Sequence, residues 1–196
     1  YKEGPVARPH ESGKNTWKFN AANVPDFAFA TSDYYYWDAT SAIVDEEGTR
    51  VFVDACYKPN AKDFRDVAAF SQEIIEGLST GMPGVPYPYP QMTVFNGEVG
   101  GGGMEFPMMT HIGGNRNYPS LFSVTFHEVA DMWSPMIVGQ DEKTYTWMDE
   151  GLTSFNTYDA RGAFWNDETQ WNPNRQSYYR IAGTGNEVES MRHGDQ

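Results

Sequence analysis

Four residues in this chain have the types and spacing to hold a metal ion and activate a water molecule: His127, Glu128, Asp131 and Glu150. His127 and Asp131 stand at i and i+4, so on an α-helix they share a face and can aim at a common atom, with Glu128 beside them. Glu150 follows Asp131 after eighteen intervening residues, which allows a second, antiparallel helix to carry it back to the same point. Imidazole and carboxylate donors suit zinc, which in catalytic sites takes three protein ligands and a water. On this reading His127, Asp131 and Glu150 are the ligands. Glu128, directed to one side of the metal, acts as the general base for that water. The usual helix-borne form of this chemistry is H-E-x-x-H, and here Asp131 replaces the second His. Asp is an accepted zinc ligand but shorter than His, so either the metal moves, a water bridges, or the site is empty. The competing reading of a His-Glu pair on a helix is a partly buried imidazole bonded to a neighbouring carboxylate.

Two helices must position these groups. The first is expected to start at Tyr118-Pro119, with Pro in the first turn, and to end at Pro135. After a turn at Gly139-Gln140-Asp141-Glu142-Lys143, the second is expected to begin near Trp147 and run through Glu150, Leu152, Phe155 and Tyr158 towards Ala163. A further short helix is expected near Gln176–Ala182.

Upstream, turn-punctuated aromatic stretches predict short strands at Thr16–Phe19, Phe27–Thr31, Tyr34–Ala39 and Val51–Tyr57. Tyr34-Tyr35-Tyr36-Trp37 reads as packing across a sheet. Asn60, with Asp63 three positions on, predicts the start of a helix whose apolar face is Phe64, Val67, Ala68, Ser71, Ile75 and Leu78. The prolines and glycines from Gly81 to Pro90 predict an exposed, stiffened connection, and Gln91–Phe95 a short strand. Gly100-Gly101-Gly102-Gly103 leads into Met104-Glu105-Phe106-Pro107-Met108-Met109, with no Lys-Ser or Lys-Thr pair of a phosphate loop. The glycines permit close approach of another backbone, and Pro107 places the strand at a sheet edge, where an extended peptide can add by β-augmentation. The plainer alternative is a flexible turn before an ordinary edge strand.

Composition narrows the partners. The 196 residues carry a net charge of −13, which repels phosphate backbones and argues against nucleic acid. The lone Cys56 lies in an apolar run and excludes both an intrachain disulfide and a thiolate metal cluster. Any metal must rely on His and carboxylates. No apolar run is long enough to span a bilayer, so a soluble chain is expected, with compartment and oligomeric state left open. The start at Tyr1, without initiator Met or signal peptide, reads as a processed or excerpted chain.

Two motifs in order resemble the gluzincin zinc aminopeptidases, the aminopeptidase N family with a thermolysin-like catalytic domain. The first is His127-Glu128-Val129-Ala130-Asp131 with Glu150 inside Trp147-Met148-Asp149-Glu150-Gly151-Leu152. The second is Gly102-Gly103-Met104-Glu105-Phe106, matching that family's Gly-x-Met-Glu-Asn strand. The resemblance covers roughly Val44 to Ala163. It implies an α+β fold with a mixed sheet, an edge strand and two active-site helices. It also implies a division into residues 1–45, the end of a β-rich domain, and 46–196, a C-terminally incomplete catalytic region. In that family His127 and Glu150 would ligate one zinc ion, Glu128 would be the base, and Glu105 would bind the substrate's free α-amine. Gly102, Gly103 and Met104 would line the substrate backbone. The implied reaction removes the N-terminal residue of a peptide. Three departures stand out: Phe106 replaces the motif Asn, Asp131 replaces the second His, and the family's transition-state Tyr lies beyond this sequence, Tyr178 and Tyr179 coming too early. The alternative is a catalytically impaired peptidase-like domain that binds peptides or a partner through the Gly102–Phe106 strand.

Overall fold

The computed structural model describes residues 13–14, 16–97, 102–114, 116–165 and 172–187. It is an α+β arrangement in which one five-stranded mixed sheet backs a layer of helices. Strands β1 (Tyr36–Ile43) and β2 (Arg50–Tyr57) form an antiparallel pair. The chain then crosses over through a 3-10 helix (Lys62–Asp66) and α1 (Val67–Thr80) to β3 (Gln91–Gly97), which runs parallel to β2. A hairpin follows, made of β4 (Gly103–Phe106) and β5 (Met109–Gly113); β5 lies parallel to β3, and β4 is the outer strand. Among the described residues three helices follow: α2 (Tyr118–Ala130), α3 (Thr146–Trp165) and α4 (Asn172–Ile181). Helix α1 packs on α2, and α2 on α3.

The core lies between the sheet and α1 and α2. Val51, Val53 and Ala55 of β2 alternate inward with Met92 and Val94 of β3 and meet Val67, Ile74, Ile75 and Leu78 of α1. The expected α1 face, from Phe64 to Leu78, is buried throughout. Phe122 of α2 closes the core against Phe70, with ring centroids 5.3 Å apart; burying a side chain of this kind contributes about 1.5–3 kcal/mol.

Several local expectations are corrected. Thr16–Phe19 and Phe27–Thr31 form no strand, and Trp17, Phe19, Phe27 and Phe29 are exposed. Aromatic residues favour strands only where a pleated, half-buried surface receives them, and none is formed here. The aromatic cluster does pack across the sheet in part: Tyr35 stacks on Phe95 and Tyr36 meets Tyr57 edge-on, whereas Tyr34 and Trp37 stay largely exposed. The helix after Asn60 opens as the 3-10 turn, and neither Ala61 nor Asp66 provides a side-chain cap.

The connection after α1 is irregular as expected, but it is not all exposed. Tyr87 and Tyr89 are buried, and Trp133 Nε1 donates to Val85 O (2.7 Å), clamping this segment to the turn after α2. Met104–Met109 is not one strand but a hairpin, because Pro107 and Met108, the latter at φ 65°, make its turn. Gly103–Phe106 does lie at the sheet edge; Gly100 and Gly101 fall outside the described residues. Helix α2 ends at Ala130, earlier than Pro135, and continues as turns. The sheet also extends across residue 45, since β1 pairs with β2 along its whole length. Among the described residues, no helix is long and apolar enough to cross a membrane.

Candidate metal centre

Helix α2 is set at its start by Asn117, whose Oδ1 accepts a hydrogen bond from the Ser120 N–H (3.1 Å), with Pro119 in the first turn. A cap of this kind satisfies one of the free amide donors and fixes where the helical phase begins. That phase puts His127 and Asp131 one turn apart. Asp131, the residue capping the helix end, keeps helical backbone angles, its N–H donating to His127 O (3.1 Å), so the i, i+4 relation survives the early helix end. His127 Nε2 lies 3.9 Å from Asp131 Oδ2.

Glu150 arrives from α3. Two hydroxyls tie that helix to the turn after α2: Thr153 Oγ1 donates to Ser134 O (3.0 Å), and Ser134 Oγ donates to Met148 O (3.1 Å). With α3 held there, Glu150 Oε2 comes within 3.1 Å of His127 Nε2. Glu128 points from α2 beneath the β4–β5 hairpin, where Thr110 Oγ1 lies 3.4 Å from its Oε2. Ligand atoms of His127, Glu128 and Asp131 all fall within 4.8 Å of one another. Gly103 of β4 faces the Glu128 carboxylate so closely that any side chain there would collide with it.

The structure therefore brings His127, Glu128, Asp131, Glu150 and Gly103 together. Glu105, buried on β4, belongs to a second cluster with Glu142 and Asp149, whose ligand atoms also lie within 4.8 Å of one another. Gly102 O accepts the Gly113 N–H (2.9 Å), closing the end of the hairpin, and Met104 is exposed on the edge strand. Sequence reading missed Glu142, taken only as part of a turn, and Asp149. Their one signal was the adjacency of Asp149 to Glu150.

Electrostatics at the centre follow from burial of many carboxyls together. Burial is the main cause that pushes Glu128 up to about 8, with the charge of Glu105 adding and that of His127 opposing. Asp131, 2% exposed, is pushed up to about 10, first by burial and then by Glu105, Glu128 and Asp149; the Thr153 hydroxyl offsets only part. Asp149 rises to about 7 and Glu105 also rises, both mainly through burial. For His127, burial is the largest single influence and opposes charge. The hydrogen bond that the imidazole donates to Glu150 and the charges of Glu128, Glu150 and Glu105 together outweigh it, so the imidazole is raised. Glu150 is lowered, chiefly by that same bond. Cys56 takes no part: burial, with Asp54 nearby, pushes its thiol up to about 12, far from a reactive thiolate.

The donor set fits a zinc ion on two observations. A tetrahedral zinc with bonds of about 2.0–2.2 Å holds its ligand atoms about 3.3–3.6 Å apart. The separations from His127 Nε2, 3.1 Å to Glu150 and 3.9 Å to Asp131, straddle that range. In addition, Asp131 Oδ1 is buried with no hydrogen-bond partner. An orphaned carboxylate oxygen costs stability unless it is protonated or meets a cation.

No protein-family model matches the sequence, and no curated protein matches it. Solved structures do match. An M1 zinc metallopeptidase from Deinococcus radiodurans superposes with a TM-score of 0.51 at 16% identity, over 77% of this chain and 33% of that one. A mutant form of an M1 zinc metallopeptidase from the same organism gives a TM-score of 0.52 at 15% identity, over 77% and 34%. This chain thus spans about a third of the length of the structures it resembles. At that identity the likeness is one of fold: the five-stranded sheet and its helices share the fold of part of an M1 zinc metallopeptidase.

Proposed function

We propose that this chain carries the metal-binding part of a zinc-dependent aminopeptidase, acting on peptides with a free N-terminus. The observation that supports the reading best is that His127 Nε2 stands 3.9 Å from Asp131 on its own helix and 3.1 Å from Glu150 on the next, with Glu128 beside His127 and Asp131. His127 Nε2, Asp131 Oδ2 and Glu150 Oε2 would hold the zinc. When bound, the metal supplies Lewis acidity towards a peptide carbonyl and lowers the pKa of water.

The protein's own groups do the rest. Glu128, pushed up to about 8 by burial in the metal-free chain, would be drawn back towards its ionised form by a cation bound beside it, and could then take a proton at a carboxylate oxygen and return it to the leaving amine. Gly103 leaves room for that carboxylate and for a peptide backbone passing along β4. The outer edge of β4 offers main-chain donors and acceptors to an extended peptide. Glu105, on the same strand, would receive the substrate ammonium and so fix the cut one residue from the end.

A second reading, a peptide-binding module without metal or hydrolysis, draws support from Asp131. Pushed up to about 10, it is neutral at pH 7 in the metal-free chain, where it packs rather than coordinates. Dialysis against zinc, metal analysis and assay of unblocked against N-acetylated peptides separates the two. The aminopeptidase reading expects stoichiometric zinc, removed by chelator, together with release of the first residue from unblocked peptides only. Protein that takes up no zinc and cleaves neither peptide would leave the binding module.

A further inference from the structure

We propose that Glu105, Glu142 and Asp149 form a second cation site, of the calcium type, distinct from the His127 centre. The three come from different parts of the chain: Glu105 from the outer strand β4, Glu142 from the loop before α3, and Asp149 from the first turn of α3. Their ligand atoms nonetheless lie within 4.8 Å of one another. Two of the three carboxylates are almost fully buried, Asp149 at 5% and Glu105 at 8% exposure. Asp149 Oδ1 has no hydrogen-bond partner, although the residue is enclosed. Among the described residues, the ion pairs found at the two clusters are those of His127 with Asp131 and Glu150, so no Lys or Arg neutralises this trio.

A buried, unpartnered carboxylate that faces two others calls for a cation. The donors are all oxygen, which selects a hard ion rather than zinc or copper. Size then favours calcium. Calcium–oxygen bonds of about 2.3–2.6 Å allow opposed oxygens about 4.6–5.2 Å apart, covering a spread of up to 4.8 Å; magnesium, at about 2.0–2.1 Å and strictly octahedral, spans only about 4.2 Å. Three carboxylates supply up to six oxygens, and Glu142, the exposed member, leaves a side open for water.

The site has a consequence for the edge strand. Glu105 cannot hold both calcium and a substrate ammonium, so calcium would compete with peptides bearing a free N-terminus. Calcium binding itself does not depend on the hydrolytic reading.

Isothermal titration of the chelator-stripped full chain with calcium chloride tests the proposal. Saturable binding is expected, at least about tenfold weaker with magnesium chloride and at least about tenfold weaker in Glu142→Gln and Asp149→Asn. Glu142→Gln alters an exposed side chain and leaves the fold intact, which circular dichroism checks; Asp131→Asn, in the other cluster, should leave calcium affinity within about twofold. Absence of binding at millimolar calcium overturns the proposal. So does calcium binding that survives in Glu142→Gln and Asp149→Asn, or that is lost in Asp131→Asn instead.

Discussion

Gly103 and Glu128 occupy one another's space: the carboxylate of Glu128 fills the volume that any side chain at position 103 would need. The contact joins the edge strand to the helix that carries the candidate base. Gly103→Ala should push Glu128 out of line, destabilising the chain by about 1–3 kcal/mol through overpacking. For a chain of this size that lowers the melting temperature by about 2–4 °C per kcal/mol. Thermal melts of the metal-free protein read the effect directly, and an unchanged melting temperature would show that β4 and α2 are not in contact.

Glu128→Gln separates base from ligand. Glutamine keeps the shape but accepts no proton, so hydrolysis of an unblocked peptide should fall by about 10²–10⁴-fold. Zinc content should stay stoichiometric, because the assigned ligands are His127, Asp131 and Glu150. If zinc is lost together with activity, Glu128 is itself a ligand.

Asp131→Asn should move two quantities in opposite directions. Zinc affinity should fall by about tenfold or more, as a charged donor is lost. At pH 8, however, the metal-free chain should gain stability on the order of 1 kcal/mol, because a carboxyl that is ionised in the unfolded chain no longer has to take up a proton to be buried. Melts with chelator and with zinc distinguish the two effects. A loss of stability in both would mean that the carboxylate is needed for packing alone.

Stability of the metal-free chain should decline as pH rises. Asp131, Glu128 and Asp149 are pushed up to about 10, 8 and 7, against about 4 in an unfolded chain. Between those limits the folded state keeps protons that the unfolded state has lost. The stabilisation is therefore full near pH 4 and disappears as pH passes through 7, 8 and 10. His127, also raised, adds stability below about 6.5 that fades in the same direction; Glu150, lowered, works the other way but is a single group. Melting temperatures from pH 5 to 9 with chelator should fall by several degrees, and saturating zinc should reduce the fall by binding the ionised forms. A flat profile with chelator would contradict the burial of these carboxyls.

The helices that carry the candidate site were legible because their signals are local. Asn117 and Pro119 start α2, the apolar spacing from Trp147 marks α3, and neither depends on distant partners. The α1 face was legible for the same reason. The aromatic N-terminal stretch was not, since whether a strand forms there depends on a neighbour to pair with. Nor was the Pro107–Met108 turn: a proline at an edge and a proline in a hairpin turn look alike until the partner strand β5 is placed.

By itself, the sequence determined which side chains were available and which shared a helix face: His127 with Asp131, Glu128 beside them, and Glu150 one helix later. Helical spacing is a property of consecutive residues, so no tertiary information was needed. Only the tertiary structure decided how close side chains of the two helices come, 3.1 Å from His127 Nε2 to Glu150 Oε2, and how deeply Asp131 is enclosed. It also decided that Glu105 meets Glu142 and Asp149 rather than standing alone. Those relations come from packing α3 and the β4–β5 hairpin onto α2, through contacts between residues distant in sequence. Burial, which sets the charge state of every carboxyl here, is created by that packing.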